Sequence, residues 1–260
     1  LNMAIVHPTA IVAPGAQLAD DVEIGPYTII GEHVEIGAGT TVGAHAVVTG
    51  HIRIGARNKI FHFVSLGEVP QDKKYAGEPT RLEIGDDNVI REFCTFNTGT
   101  VQDRGVTTIG SHNWIMAYVH IAHDCVVGDR VIFANNASLA GHVEVGDWAI
   151  LGGFTGVHQF CKIGAHVMTG VSTVVFKDIP PFVMASGHPA GPHGLNSEGL
   201  KRRGFSAESL SALKRAYKTL YREGNTVAEA QARLEADAAT HPEIRQLLDF
   251  LARAERGIIR

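Results

Sequence analysis

The chain has 260 residues, 45% of them hydrophobic and 19% charged, with a net charge of −4 at pH 7. That balance excludes a disordered chain and fits one substantial globular body with a smaller appendage. The absence of a strong positive field argues against nucleic acid as the main partner. No run of about 18 or more apolar residues offers a membrane span. Leu1–Pro8 also lacks the basic start and long apolar stretch of a secretory leader, so the expected address is cytoplasmic.

From the start of the chain, aliphatic residues recur every sixth position: Val6, Val12, Leu18, Ile24, Ile30, Ile36, Val42, Val48, Ile54, Ile60 and Leu66. The phase resumes at Ile84, Ile90 and Phe96. After a one-residue slip it runs from Ile109 to Ile163 and weakens at Thr169. Such a period is not helical. It fits a coil of three short faces, about 18 residues around, with each aliphatic directed into a narrow triangular core. Gly25, Gly37, Gly43 and others directly follow the aliphatic and are read as supplying backbone freedom at the corners. The predicted fold of residues 1–190 is a left-handed parallel β-helix of hexapeptide repeats. Cys94, Cys125 and Cys161 each fall four residues after an inward position, in small buried slots. Cys125 and Cys161 sit two coils apart, about 10 Å, which is too far to bridge. No disulfide and no catalytic thiol is expected.

Two polar segments, 68–81 and 98–107, interrupt the repeat and are expected to be loops on one side of the solenoid, where binding surfaces gather. Beyond Pro180-Pro181 the repeat ends, and residues 191–260 read as a helical domain. Ser206 opens one helix. Thr226 with Glu229, and Thr240 with Glu243, form the pattern of capping boxes for two more. This tail carries 12 Lys/Arg against 9 Asp/Glu. Arg202, Arg203, Lys214, Arg215, Lys218 and Arg222 could form a docking face for an acidic partner, or simply a solvated helix surface.

With 18 residues per coil, Gly141 stacks on His123 and His142 on Asp124, while His120 and His158 lie nearby on the same side. Three readings of this cluster are open. It could be polar decoration of solvent-facing turns. It could bind a metal, as in β-helix carbonic anhydrases, whose three histidines hold zinc between subunits. Or a neutral histidine could act as general base toward a hydroxyl, with Asp124 or another acceptor fixing its tautomer. In the last case the Gly141 amide would stabilise the developing oxyanion. A trimerising scaffold without catalysis is a further alternative.

The stretches KYAGEPTRLEIG (74–85), HIAHDCVVG (120–128), NNASLAGHVEVGD (135–147), GVHQFCKIGAHVM (156–168) and NSEGLKRRGFS (196–206) resemble the acyl-(acyl carrier protein)–UDP-N-acetylglucosamine O-acyltransferase family. That family starts lipid A, and hence lipopolysaccharide, biosynthesis in Gram-negative bacteria. The resemblance spans nearly the whole chain. The related N-acyltransferases usually carry an extra N-terminal uridine-binding domain; with the repeat starting at Val6 no such domain is expected, which favours the O-acyltransferases. The resemblance implies transfer of a 3-hydroxyacyl group to the glucosamine 3-hydroxyl. His123 would be the general base, Asp124 its support, and Gly141 the oxyanion donor. Asp72, Lys74, His120, His142, His158 and Gln159 would line the sugar-nucleotide pocket, with Lys74 near the diphosphate. Asn196, Glu198, Arg202 and Arg203 would meet the uridine and phosphate end, and Val171 would set the depth of an acyl groove. It further implies a homotrimer with sites between subunits and acyl carrier protein as donor through its 4′-phosphopantetheine arm. No metal or other cofactor is implied.

Overall fold

A computed structural model describes residues 3–260; Leu1 and Asn2 lie outside the described residues. The solenoid is the expected left-handed parallel β-helix. Among the described residues its short strands stack into three sheets of 11, 9 and 8 strands. The coil strands pair in parallel with those one coil before and after, and the last strand of the first sheet closes an antiparallel hairpin. We call the faces first, second and third after the strands of one coil, Trp114–Ile115, His120–Ile121 and Val126–Val127. Each face is followed by an edge of the same number. The register joins equivalent positions, as in His120↔Ser138↔Gly156.

From Ile24 to Ile163 every inward repeat residue is no more than 4% exposed. Each buried aliphatic contributes about 1.5–3 kcal/mol, so the single column of core side chains holds the coils together. The weakening expected at Thr169 is absent: Thr169 is 1% exposed, and its hydroxyl bonds to Gly152 N at 2.9 Å and Thr155 Oγ1 at 2.8 Å. Inward threonine is tolerated because its polar atom is satisfied. All three cysteines are free and buried. Burial pushes the Cys94 and Cys125 thiols up to about 12 and Cys161 to about 11, which keeps them protonated and unreactive.

The role assigned to the repeat glycines needs correction. The left-handed backbone at the edges belongs to the residue three after each aliphatic, and it is mostly not glycine: Tyr27 (φ +57°), Asp124 (+61°), His142 (+63°) and Phe160 (+65°) are examples. The glycine directly after the aliphatic is required instead by close approach between coils. A Cβ on Gly37 would lie 2.6 Å from the Gly55 carbonyl carbon, and one on Gly43 would lie 2.6 Å from His62 N.

The last coil ends in a hairpin, Val183–Gly187 with Ala190–Leu195, which leads into four helices rather than three. They are α1 (Ser197–Arg202), α2 (Ala207–Tyr221), α3 (Val227–Ala238) and α4 (Pro242–Ala252). Ser206 caps α2, and Thr226–Glu229 forms a complete capping box on α3. The box expected at Thr240 does not form. His241 is the cap residue of α4 without a side-chain bond, because Thr240 turns its hydroxyl back to the Asp237 carbonyl. The helices share a second core built on Leu200, Leu213, Leu220, Leu234, Ile244 and Leu248, which Phe182 of the last coil enters. The chain end returns to the solenoid through Asp178 N–Gly257 O and Ile259 N–Asp178 O bonds of 2.9 Å.

Candidate active site

Both loops leave from the second edge, after strands Ser65–Glu68 and Thr95–Asn97, and rejoin at Arg81 and Val106 on the third face. The histidine cluster occupies that same edge. His123 Nδ1 and Asp124 Oδ2 lie 2.9 Å apart, with the Asp124 side chain fully buried and the imidazole 14% exposed. Consecutive residues meet here because the left-handed turn at Asp124 swings its side chain beside that of its neighbour. Asp124 accepts further bonds from Thr100 N at 2.9 Å and Thr100 Oγ1 at 2.6 Å, and its own amide donates to Thr107 Oγ1 at 2.9 Å. Burial works to raise its pKa. The hydrogen bonds from His123 and Thr100 outweigh burial and hold the carboxyl below its ordinary value, so it is an anion at neutral pH.

Gly141 lies against the His123 ring. A Cβ there would fall 2.5 Å from Cε1 and 2.7 Å from Nε2, so only glycine fits beside this imidazole. Among the described residues the Gly141 N–H donates no backbone hydrogen bond, while its carbonyl accepts from Phe160 N. His142 stands edge-on to His123 (5.0 Å between centroids, 88°) and lies flat on Phe160 (4.3 Å, 9°). Its Nδ1 is 2.7 Å from Asp103 Oδ2.

The other expected residues divide among places in the fold. Asp72 and Lys74 come from the first loop, where Asp72 Oδ1 accepts the Lys74 amide at 3.0 Å. With Thr100, Asp103, His142, Phe160, Lys162 and Arg253 they line a cleft of about 700 Å³. His120 points outward from the second face and bonds Thr95 Oγ1 at 2.7 Å, and burial lowers its pKa. His158 and Gln159 lie two coils beyond Ala122 and His123, on the second edge. Five of the expected residues are not brought to this edge. Asn196 caps α1 and donates to the His166 carbonyl, and Arg203 contacts His166 Nδ1 at 3.0 Å and lies over Trp148. These contacts belong to the third edge, where Glu198 pairs with Lys201 and Arg202 ends α1. Val171 is 72% exposed on the first edge, across the second face from His158.

Thr100, Thr107, Asp103 and Phe160 escape the sequence reading. The broken repeat at 98–107 marks the loop but not its partners. Phe160 could have been found from its place one coil after His142.

His123, Asp124 and His142 place potential metal-ligating atoms within 4.8 Å of one another. The donor set is nevertheless committed to hydrogen bonds. Asp124 Oδ2 receives both the Thr100 hydroxyl and His123, and His142 Nδ1 is held by Asp103. This network fits a fixed base better than a set of free ligands.

Comparison with known proteins gives the family. Residues 178–259 match UDP N-acetylglucosamine O-acyltransferase domain 2, and residues 3–38 and 107–141 match the bacterial transferase hexapeptide repeat. The acyl-(acyl-carrier-protein)–UDP-N-acetylglucosamine O-acyltransferase of Thiobacillus denitrificans is 87% identical over 99% of this chain and all of its own length. The enzyme of the same name from Janthinobacterium is 61% identical over 99% of this chain and all of its own length. The crystal structure of the UDP-N-acetylglucosamine O-acyltransferase of Moraxella catarrhalis superposes with a TM-score of 0.97 at 48% identity, covering 98% of this chain and 99% of that one. The protein is therefore a member of the acyl-(acyl-carrier-protein)–UDP-N-acetylglucosamine O-acyltransferase family.

Proposed function

We propose that the chain transfers a 3-hydroxyacyl group from acyl carrier protein to the 3-hydroxyl of UDP-N-acetylglucosamine, the first step of lipid A biosynthesis. The observation that carries this reading is the His123–Asp124 pair beside the unsubstituted Gly141. Asp124, an anion, accepts a hydrogen bond from Nδ1–H and so leaves His123 Nε2 free as the base. Nε2 takes the proton of the sugar hydroxyl as its oxygen attacks the thioester carbon. The Gly141 N–H donates a hydrogen bond to the developing oxyanion. As the C–S bond breaks, the imidazolium returns its proton to the departing thiolate of the 4′-phosphopantetheine arm. Asp124 stabilises the imidazolium between these two transfers. No metal or further cofactor is needed for this sequence.

The sugar nucleotide would lie along the second edge against Asp72, Lys74, His120, His142, His158 and Gln159. Asn196, Glu198, Arg202 and Arg203 would reach its uridine and phosphate end from a neighbouring subunit. Two observations support a homotrimer with shared sites. Those four residues sit on the third edge, away from His123 in the same chain. The outward row of the first face is apolar at Val89, Trp114, Ile132, Ile150 and Met168. Val171 would limit acyl length at the far side of the second face. No helix among the described residues is long and apolar enough to cross a membrane, which agrees with work in the cytoplasm on a carrier-bound donor.

The test is turnover of UDP-N-acetylglucosamine with a ladder of 3-hydroxyacyl carrier proteins. His123→Ala should lower turnover by at least about 10²-fold with the fold intact. Near-wild-type turnover in that variant removes His123 from the mechanism. No turnover by the wild type with any donor would overturn the assignment.

A further inference from the structure

Two side chains of the loop between Asn97 and Val106 hold two of the histidines of the second edge, His123 and His142, and they do so differently. Thr100 binds Asp124, which faces His123. Asp103 binds His142 itself, at 2.7 Å from Nδ1. An exposed ion pair on a free loop would contribute little. Here the loop is anchored. Thr100 N and Oγ1 both sit on Asp124, Gly105 N bonds Thr100 O at 3.0 Å, and a Cβ on Gly99 would lie 2.8 Å from Asp124 Oδ1. The His142 side chain is 14% exposed, flat on Phe160, and its amide donates to the His123 carbonyl at 3.0 Å. Asp103 completes this cage. A carboxylate only accepts, so the contact requires a proton on Nδ1 and leaves Nε2 of the neutral ring as an acceptor. Nε2 stands 3.9 Å from Asp124 Oδ2, and His142 shares its cleft with Asp72 and Lys74.

We propose that Asp103 is a positioning residue that locks His142 in the Nδ1–H tautomer, so that Nε2 presents a fixed acceptor to a hydroxyl or amide N–H of the bound sugar nucleotide. The proposal rests on the acyl-transfer reading of this edge. It assigns the second interruption of the repeat a role in substrate recognition as well as in holding the base.

The experiment uses the full chain with 15N-labelled histidine and compares wild type, Asp103→Ala and Asp103→Asn, the last retaining an oxygen acceptor without charge. Long-range 1H–15N correlations should report Nδ1–H for His142 in wild type and Asp103→Asn, and a shift toward Nε2–H in Asp103→Ala. In turnover assays Asp103→Ala should raise KM for UDP-N-acetylglucosamine about tenfold or more with kcat within about threefold, and Asp103→Asn should recover most of that loss. An unchanged His142 tautomer in Asp103→Ala overturns the proposal, as does an unchanged KM in a preparation whose wild type turns over. A wild type without turnover instead counts against acyl transfer, and the tautomer measurement still decides the role of Asp103.

Discussion

Replacing Gly141 with alanine perturbs the base without removing any of its hydrogen-bond partners. The new Cβ would sit 2.5 Å from His123 Cε1 and 2.7 Å from Nε2. Carbon atoms rest about 3.5–4.0 Å apart, so the imidazole must withdraw by about 1 Å. It cannot do so freely, since Nδ1 is bonded at 2.9 Å to a carboxylate that Thr100 also grips. The ring therefore either breaks that bond or tilts Nε2 away from the hydroxyl it should deprotonate. A misplacement of about 1 Å costs on the order of 10²-fold in rate, equivalent to about 2.7 kcal/mol in the barrier. The Gly141 backbone is outside the left-handed region, so alanine adds no backbone strain, and the contact lies at an edge rather than in the core column. The melting temperature should move by no more than a few degrees. Steady-state kinetics at saturating donor should show the loss in kcat, with KM for the sugar nucleotide little changed. An unaltered kcat would refute the argument, because it would mean that the His123 ring either tolerates the displacement or is not the base.

Asp124→Asn keeps the shape but can present an amide N–H to Nδ1, forcing the proton onto Nε2; kcat should fall roughly 10²–10³-fold, and single-turnover rates equal to wild type would exclude the tautomer argument. Val171→Gly removes three carbons from an exposed wall, and each methylene newly accommodated gains about 0.8 kcal/mol; the acyl optimum of the ladder should move to longer chains, and a fixed optimum removes Val171 as the limit. His166 gives a pH prediction. Burial, aided by the Arg203 charge, depresses its pKa to about 4. The unfolded chain therefore binds a proton that the folded chain refuses between about pH 6.5 and pH 4. Its contribution is present in full above that window and is lost as pH falls through it, on the order of 1 kcal/mol after discounting for partial exposure. Urea unfolding at pH 7 and pH 4.5 should show a smaller stability difference in His166→Gln than in wild type; equal differences would refute it.

The six-residue period by itself determined the solenoid, its core column and the stacking of Gly141 on His123 and of His142 on Asp124. In a solenoid a residue's neighbours lie a fixed number of positions away, so linear spacing already states the contacts. The same logic failed wherever the geometry is not periodic. The sequence offers no measure of the turn angle that brings Asp124 onto His123, although both lie in one hexapeptide. Thr100 and Asp103 reach the edge from a loop whose path depends on how its ends are anchored, so their partners 24 and 39 residues away are invisible to spacing. Asn196 and Arg203 were legible as motif residues, but their place on the third edge, against His166 and Trp148, was decided by docking of the helical tail on the last coils. Local repetition fixes what stacks; closure of loops and tail over long separations fixes which polar groups then face one another.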